Sequence, residues 1–114
     1  GGITSWKAAM SHFYDGNATL GVGTHTHIPT NETRILKGGT AYQTDAGMCG
    51  DYDSVIGMNK DNSINRFLKK KSTKHFPSIG EASLCGVIVE CDIETGLAKN
   101  VENFIYGGEL KNSQ

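Results

Sequence analysis

The order of short apolar segments along this chain predicts an α/β fold, a mixed sheet with flanking helices. Two helical patterns alternate with short strands, and two glycine-containing turns mark hairpins. With 114 residues, 37% of them hydrophobic and 20% charged, the chain has the composition of one globular domain covering residues 1–114. No internal repeat or low-complexity tract divides it. We therefore expect a single unit whose strands run in both directions.

An apolar stripe at helical spacing predicts a first helix over residues 5–14, formed by Trp6, Ala9, Met10, Phe13 and Tyr14. Thr4 or Ser5 is expected to cap its start, and Asp15-Gly16 to end it. Packing against a sheet is the expected role of the stripe, with a ligand shelf as the alternative. Residues 18–23 then form a short apolar segment bounded by glycines, which predicts a buried strand.

A hairpin is predicted next, because residues 33–36 and 40–44 flank Lys37-Gly38-Gly39, whose glycines can adopt positive φ. The polar segment 45–53 is predicted to be a loop. A second helix is expected from Asn59 or Asp61 to about Lys71, with a buried face made of Ile64, Phe67 and Leu68. The run Lys69–Lys71 suits its end, because cations favour the negative pole of the helix dipole.

The closing hairpin is expected to pair residues 83–92 with 97–106. Cys85 and Cys91 lie on its first strand, about 20 Å apart at the usual rise, beyond the reach of a disulfide or a shared zinc ion. Reduced thiols and a cytoplasmic location are the simplest expectation.

Charge and hydropathy exclude two kinds of partner. Eleven basic residues oppose twelve acidic ones, so the net charge of -1 creates no field that attracts a nucleic-acid polymer or an anionic membrane. No apolar stretch approaches the roughly 20 residues of a membrane helix. We expect neither a membrane nor a nucleic-acid partner.

The strongest local motif is Gly23-Thr24-His25-Thr26-His27. In extended chain, two histidines separated by one residue project to the same side, about 6–7 Å apart at the backbone. Imidazole is the commonest metal-donor side chain, and this spacing suits one ion or two neighbouring ions. Two polar loop histidines are the alternative, and the pair alone does not decide between them.

Other chemical motifs fail on inspection. A calcium loop counted from Asp51 requires Gly and Glu where the chain has Ile56 and Asn62. The dinucleotide fingerprint begun by Gly21-Val22-Gly23 lacks its third glycine, because Thr26 stands there. Asp51 and Asp53 are therefore expected in turns. His12 and His75 are expected to be solvated.

A family resemblance adds to these observations. The segments that carry it are Gly23–Thr30, Arg34–Leu36, Gly39–Met48, Tyr52–Met58 and Glu81–Glu90. Together they resemble the bacterial YmdB-like branch of the calcineurin-like metallophosphoesterases, over nearly the whole chain but only over the C-terminal half of the family sandwich. The resemblance implies two packed mixed sheets with outer helices, and a phosphodiesterase that acts on cyclic nucleotides.

The resemblance also implies two divalent metal ions, iron or manganese, with His25 and His27 as metal ligands. Two ions activate water at neutral pH and neutralise charge on phosphate oxygens. Asp45 is expected in a turn, with a pocket-lining or histidine-orienting role as the alternative. Gly2 and Trp6 stand where the family usually has Glu, and the family's other ligands fall outside this sequence.

Two hypotheses about function remain. The chain is either a fragment of a metallophosphoesterase that is inactive alone, or a binding or assembly module that keeps the fold without the chemistry. A phosphodiester small molecule is the expected substrate of the complete enzyme. We also expect self-association as a homodimer, because the apolar face of this half-fold has more surface than 114 residues can cover.

Overall fold

The computed structural model describes residues 2–71 and 74–110, which contain two helices and six strands. In chain order these are α1 (Thr4–Phe13), β1 (Leu20–Val22), β2 (Arg34–Ile35), β3 (Ala41–Gln43), β4 (Gly50–Asp51), α2 (Lys60–Phe67), β5 (Ala82–Cys91) and β6 (Ala98–Tyr106). One sheet has the order β1-β3-β2, with β1 parallel and β2 antiparallel to β3. The other is antiparallel, with the order β4-β5-β6. The predicted mixed α/β fold class is confirmed, as two small sheets.

Strand β3 forms the centre of the first sheet, and all three of its residues are buried. Gln43 is among them, and its amide group is hydrogen-bonded at both atoms. Its Oε1 accepts from the Thr33 hydroxyl at 2.6 Å, and its Nε2 donates to the Asp45 carbonyl at 2.8 Å. A buried polar group destabilises a fold unless it is paired. These two bonds allow a glutamine in a central strand.

Both predicted hairpins are confirmed. In the first, the Asp15 carboxylate accepts hydrogen bonds from the turn amides of Gly38 at 2.7 Å and Thr40 at 3.1 Å. In the second, β5 and β6 pair from Leu84 opposite Tyr106 to Cys91 opposite Ala98. All three cysteines are free, and Cys85 and Cys91 lie on one strand as predicted.

Helix α1 departs from its prediction in two ways. The residue at its N-terminal cap is Ile3, and no side-chain hydrogen bond caps the helix, so the predicted cap by Thr4 or Ser5 is wrong. The apolar stripe does not pack against a sheet: Trp6 is 73% exposed and Phe13 78% exposed. No other element of the described residues covers this stripe of α1. The radius of gyration, 17.0 Å, exceeds the about 13 Å of a compact domain of this length.

Helix α2 and two strands also differ from prediction. Asn59 caps α2 as expected, but the helix ends at Phe67 rather than near Lys71, and Lys69 has φ 59°. The face of α2 that lies against the protein carries Asn62, whereas the three residues predicted to be buried are exposed: Ile64, Phe67 and Leu68.

The loop predicted over residues 45–53 contains the short strand β4, which pairs with β5. Strand β1 is at a sheet edge and only partly buried, rather than fully buried, because it has β3 as its single neighbour. Neither helix within residues 2–71 and 74–110 is long and apolar enough to cross a membrane.

The side chain of Asp51 links β4 to the segment that precedes β5 by hydrogen bonds. Its carboxylate accepts hydrogen bonds from the Ser78 hydroxyl, the Asp53 amide at 2.8 Å and the Gly80 amide at 3.1 Å. The Ser78 hydroxyl, followed by the Asp53 amide, lowers the pKa of Asp51 below its usual 3.8. The folded chain therefore favours the ionised carboxylate.

We expect acid to destabilise the chain partly through Asp51. A carboxyl group whose pKa is lowered by folding stabilises the fold above its unfolded pKa of about 4, and this contribution is lost as pH falls through the folded pKa. Urea denaturation between about pH 5 and pH 2 should show a smaller loss for Asp51→Asn than for the wild type. Equal slopes of stability against pH in the wild type and in Asp51→Asn would contradict this account.

Candidate metal centre

The carboxyl ends of β1 and β3 bring two loops to one edge of the first sheet. Because these strands are parallel, the segments that follow Val22 and Gln43 lie side by side. The Gly23 amide donates to the Gln43 carbonyl at 3.2 Å, and the Ala46 amide donates to the Gly23 carbonyl at 2.9 Å. A β-carbon on Gly23 would lie 2.2 Å from the Thr44 carbonyl oxygen, so this close approach requires glycine.

His25 and His27 lie in the first of these loops, and both residues are exposed. Their φ angles are 128° and 69°, so the backbone bends here. The prediction of two residues in extended chain is therefore wrong in its geometry, although the predicted position after β1 and the predicted exposure agree with the structure. Such φ values cost about 1–3 kcal/mol per non-glycine residue and concentrate at functional sites. The surrounding structure has to hold this loop in place.

The His27 ring makes a hydrogen bond that defines its tautomer. Its Nδ1 lies 2.8 Å from the carbonyl oxygen of Ile56. Since a carbonyl oxygen can only accept, Nδ1 carries the proton in the neutral ring and Nε2 keeps its lone pair. Histidines that bind metal commonly donate their second ring N–H to a backbone carbonyl in this way. In this tautomer the lone pair of His27 Nε2 is available to an ion.

A cavity of about 320 Å³ adjoins His27, and its lining consists of His27, Ile28, Tyr52, Ser54, Val55 and Ile56. Tyr52 is oriented by its hydroxyl, which donates to the Met48 carbonyl at 2.9 Å. Burial, followed by the adjacent Cys85 thiol, raises the pKa of Tyr52, so this residue presents a neutral ring. His25 does not line this cavity. The loop therefore places the His27 imidazole, but not that of His25, at the cavity.

The donor set is incomplete in the described part of the chain. Residues 2–71 and 74–110 contain no group of three or more His, Cys, Asp or Glu side chains that could hold an ion. Two exposed imidazoles, one with a defined tautomer, fit a divalent transition metal in donor chemistry. Zinc sites in proteins nevertheless use three or four protein ligands. The loop offers part of a coordination shell.

Two charged side chains lie beneath the histidine loop. Asp45 is fully buried and accepts hydrogen bonds from the Thr26 amide and hydroxyl, both at 2.8 Å, and from the Gly47 amide at 2.9 Å. Lys7, from α1, donates to the Thr24 carbonyl at 2.8 Å and lies 3.8 Å from the Asp45 carboxylate. Burial by itself raises the pKa of Asp45, but the hydrogen bonds from Gly47 and Thr26 outweigh it and lower the pKa. Asp45 is therefore a buried anion at neutral pH.

Only part of this arrangement was predictable from the sequence. Asp45 does have the expected turn role, through Gly47, and its contact with Thr26 lies between the two histidines. Lys7 was not identified, because its nearest carbonyl partner is 17 residues away along the chain. Its position directly after Trp6, beside an apolar stripe, is the signal that could have pointed to a buried role. His12 and His75 are exposed, as predicted.

Comparison with known proteins shows which proteins this chain is similar to. The chain is 40% identical over 102 residues to the 2',3'-cyclic-nucleotide 2'-phosphodiesterase of Bacillus subtilis strain 168, covering 90% of this chain and 39% of that protein. It resembles the crystal structure of a novel phosphatase from Mycoplasma pneumoniae with a TM-score of 0.84 and 39% identity, covering 92% of this chain and 38% of that chain. A hypothetical protein from Thermus thermophilus gives a TM-score of 0.81 and 34% identity, over 92% of this chain and 41% of that one. The chain is thus similar to parts of proteins named as a phosphodiesterase and a phosphatase.

The family model of the YmdB-like proteins matches residues 1–104, and the chain belongs to that family. The resemblance that its motifs indicate, from Gly23–Thr30 to Glu81–Glu90, is thereby confirmed. The chain spans about two fifths of the length of the Bacillus relative, 39% of it.

Proposed function

We propose that this chain is the C-terminal part of a phosphodiesterase with two divalent metal ions, and that His25 and His27 are two of the metal ligands. The observation that carries the proposal is the hydrogen bond from His27 Nδ1 to the Ile56 carbonyl at 2.8 Å, in a loop that is exposed beside a cavity. This bond leaves Nε2 available to an ion. The name of the Bacillus relative supports a phosphodiester substrate of the cyclic-nucleotide type.

The residues of this chain would bind and orient rather than transfer protons. His27 would donate one lone pair through Nε2, while the Ile56 carbonyl holds its ring in place. His25, two residues earlier and exposed, would supply a second imidazole. Two divalent ions, with iron or manganese the proposed pair, supply an activated water and offset the negative charge of the phosphate oxygens when bound.

The remaining ligands would come from the part of the longer relatives that this chain does not match. The coverage of the Bacillus relative, 39%, leaves room for them. The incomplete donor set of residues 2–71 and 74–110 agrees with this division. We also propose the cytoplasm as the compartment, because the free thiols of all three cysteines suit a reducing environment.

We predict that the chain alone does not hydrolyse phosphodiesters at a measurable rate. Hydrolysis at two metal ions requires a bridging ligand and a nearly full coordination shell, which two imidazoles cannot replace. The assay is release of p-nitrophenol from bis-p-nitrophenyl phosphate with added Mn²⁺. Robust turnover by the pure chain that a chelator abolishes would show that the site is complete and contradict the proposal.

A binding or assembly module without catalysis is the second candidate function, and the shortage of donors in the described residues favours it. Metal analysis of the longer protein separates the two. The enzyme hypothesis requires about two metal ions per chain, and fewer after replacement of His25 and His27 by alanine. Equal metal content in both proteins would favour the module.

We propose further that the isolated chain pairs with a second copy of itself through the exposed face of α1. Trp6, Met10, Phe13 and Tyr14 are more than half exposed on this helix, and a cavity of about 640 Å³ is lined by residues of α1, β1 and β3. Contiguous apolar patches are rare on soluble monomers and usually find a partner. The net charge of -1 causes little repulsion between two copies. A two-fold dimer that uses the same face twice is the simplest closed arrangement.

A further inference from the structure

Hydrogen bonds hold the loop that carries the two histidines at residues 24, 26 and 28. The Thr24 carbonyl accepts from Lys7 Nζ at 2.8 Å. The Thr26 amide and hydroxyl both donate to Asp45 Oδ2 at 2.8 Å. The same hydroxyl oxygen accepts from the Ile28 amide at 3.2 Å. Residues 24, 26 and 28 are therefore held by hydrogen bonds on either side of His25 and His27, and all five residues are exposed.

We propose that Lys7 and Asp45 form a buried ionic clamp that positions His25 and His27 for metal binding. This inference rests on the function proposed above, because positioning has meaning only if the histidines are ligands. Neither clamp residue would touch the ion or the substrate. Both are positioning residues that act through Thr24 and Thr26.

The burial of the clamp explains why it can determine the shape of an exposed loop. The side chain of Lys7 is 7% exposed and that of Asp45 is 1% exposed, with 3.8 Å between Nζ and Oδ2. Charges shielded from water interact more strongly than exposed charges and have few alternative partners. The Thr44 carbonyl also accepts from Lys7, at 3.4 Å, which ties α1 to the end of β3. The clamp thus joins α1, the histidine loop and the segment after β3.

Two glycines make room for this arrangement. A β-carbon on Gly23 would lie 2.6 Å from Lys7 Cδ, so a larger residue there would displace the lysine. A β-carbon on Gly47, which has φ 92°, would lie 2.9 Å from Pro29 Cδ, at the far end of the histidine loop. The positive φ angles of His25 and His27 also require a rigid surrounding, since nothing in free chain favours them. The clamp and its glycines provide that surrounding.

The test is the affinity of the full chain for Zn²⁺ alone, measured by competition with a chromogenic chelator. Asp45→Asn keeps the side-chain shape but removes the charge, and Lys7→Met keeps the stem but removes the ammonium group. Each is expected to weaken zinc binding about 10–100-fold, the range typical of residues that orient metal ligands.

A second pair of variants tests the same contact with a smaller change, in case the substitutions of Lys7 and Asp45 unfold the chain. Thr26→Val removes the hydroxyl that donates to Asp45, whereas Thr26→Ser keeps it. Because Thr26 is exposed, both variants should fold. We expect Thr26→Val to weaken zinc binding about tenfold and Thr26→Ser to bind as the wild type does.

Asp15→Asn is the matched control for loss of a structural carboxylate. Asp15 also accepts two backbone amide hydrogen bonds, from Gly38 and Thr40, but in a hairpin turn. This variant should lose stability in urea while its zinc affinity stays at the wild-type value. A general structural effect would instead weaken zinc binding in Asp15→Asn and Asp45→Asn alike.

The outcomes separate the inference from the function on which it rests. If the wild-type chain does not bind zinc through the histidines, the ligand role that the proposed function gives to His25 and His27 fails, and the positioning role fails with it. If the wild type binds and folded Asp45→Asn, Lys7→Met and Thr26→Val bind equally well, only the clamp is overturned. Weakened binding in these three, with retention in Thr26→Ser and Asp15→Asn, supports the clamp.

Discussion

Zinc binding by the chain is expected to disappear when His25 and His27 are both replaced by alanine. These are the two donors that the exposed loop provides, and His27 has its Nε2 free because Nδ1 donates to Ile56. Substitution of residues that merely orient ligands typically costs about 10–100-fold in metal affinity, so loss of both donors should remove binding from the measurable range. Isothermal titration calorimetry with Zn²⁺ provides the measurement.

The fold should survive this substitution. Exposed loop residues contribute little to packing, and the free energy of unfolding should change by about 1 kcal/mol or less. The matched control replaces His12 and His75, two other exposed histidines, by alanine. This control removes the same number of imidazoles and should bind zinc as the wild type does. Zinc binding that persists in the first variant, or is lost in the control, would contradict the ligand assignment.

The chain is expected to sediment as a dimer at tens of micromolar, and the double variant Trp6→Lys, Phe13→Lys as a monomer. Trp6 is 73% exposed and Phe13 is 78% exposed on α1. Burial of a large apolar side chain contributes about 1.5–3 kcal/mol, so the two substitutions should raise the dissociation constant at least about a hundredfold. Sedimentation equilibrium measures the change.

The control for this experiment adds a lysine to the other side of the same helix. His12→Lys increases the charge of α1 without touching the apolar stripe, and it should leave the dimer intact. A wild-type chain that is monomeric and cooperatively folded at these concentrations would contradict the dimer proposal. Its apolar face would then be assigned to the remainder of the longer relatives. A dimer that tolerates both lysines would preserve the stoichiometry and overturn the proposed face.

The sequence predicted those elements whose determinants are local. The two hairpins depend on turn residues, as with Gly38 and Gly39, and α2 begins where Asn59 caps it. The sequence-based prediction was wrong where the burial of a residue depends on segments that are distant in the chain. Apolar spacing suggested that Phe67 is buried, yet α2 turns Asn62 toward the protein, and no sequence pattern shows which surface a helix meets. Strand β4 escaped prediction because two residues, Gly50-Asp51, carry no periodicity.

The candidate metal site likewise has features that a local sequence pattern predicts and features that depend on residues distant in sequence. His25 and His27 were recognisable because their spacing and family motif lie within five residues. The contacts that their loop makes with Lys7 and Asp45 were not recognisable, since they join segments that are distant in sequence. A carboxylate and an ammonium group far apart in sequence give no local pattern. Only the three-dimensional structure shows that Lys7 and Asp45 lie near the histidine loop.

The most direct test of the central claim, that His25 and His27 bind metal, observes the imidazole nitrogens by NMR during titration with Zn²⁺. In the metal-free chain, His27 should be the tautomer with the proton on Nδ1, as its bond to Ile56 requires. On addition of zinc, the Nε2 resonance of His27 should shift together with one ring nitrogen of His25, while His12 and His75 stay unchanged. Coordination through Nδ1 of His27, or equal shifts in all four histidines, would contradict the account.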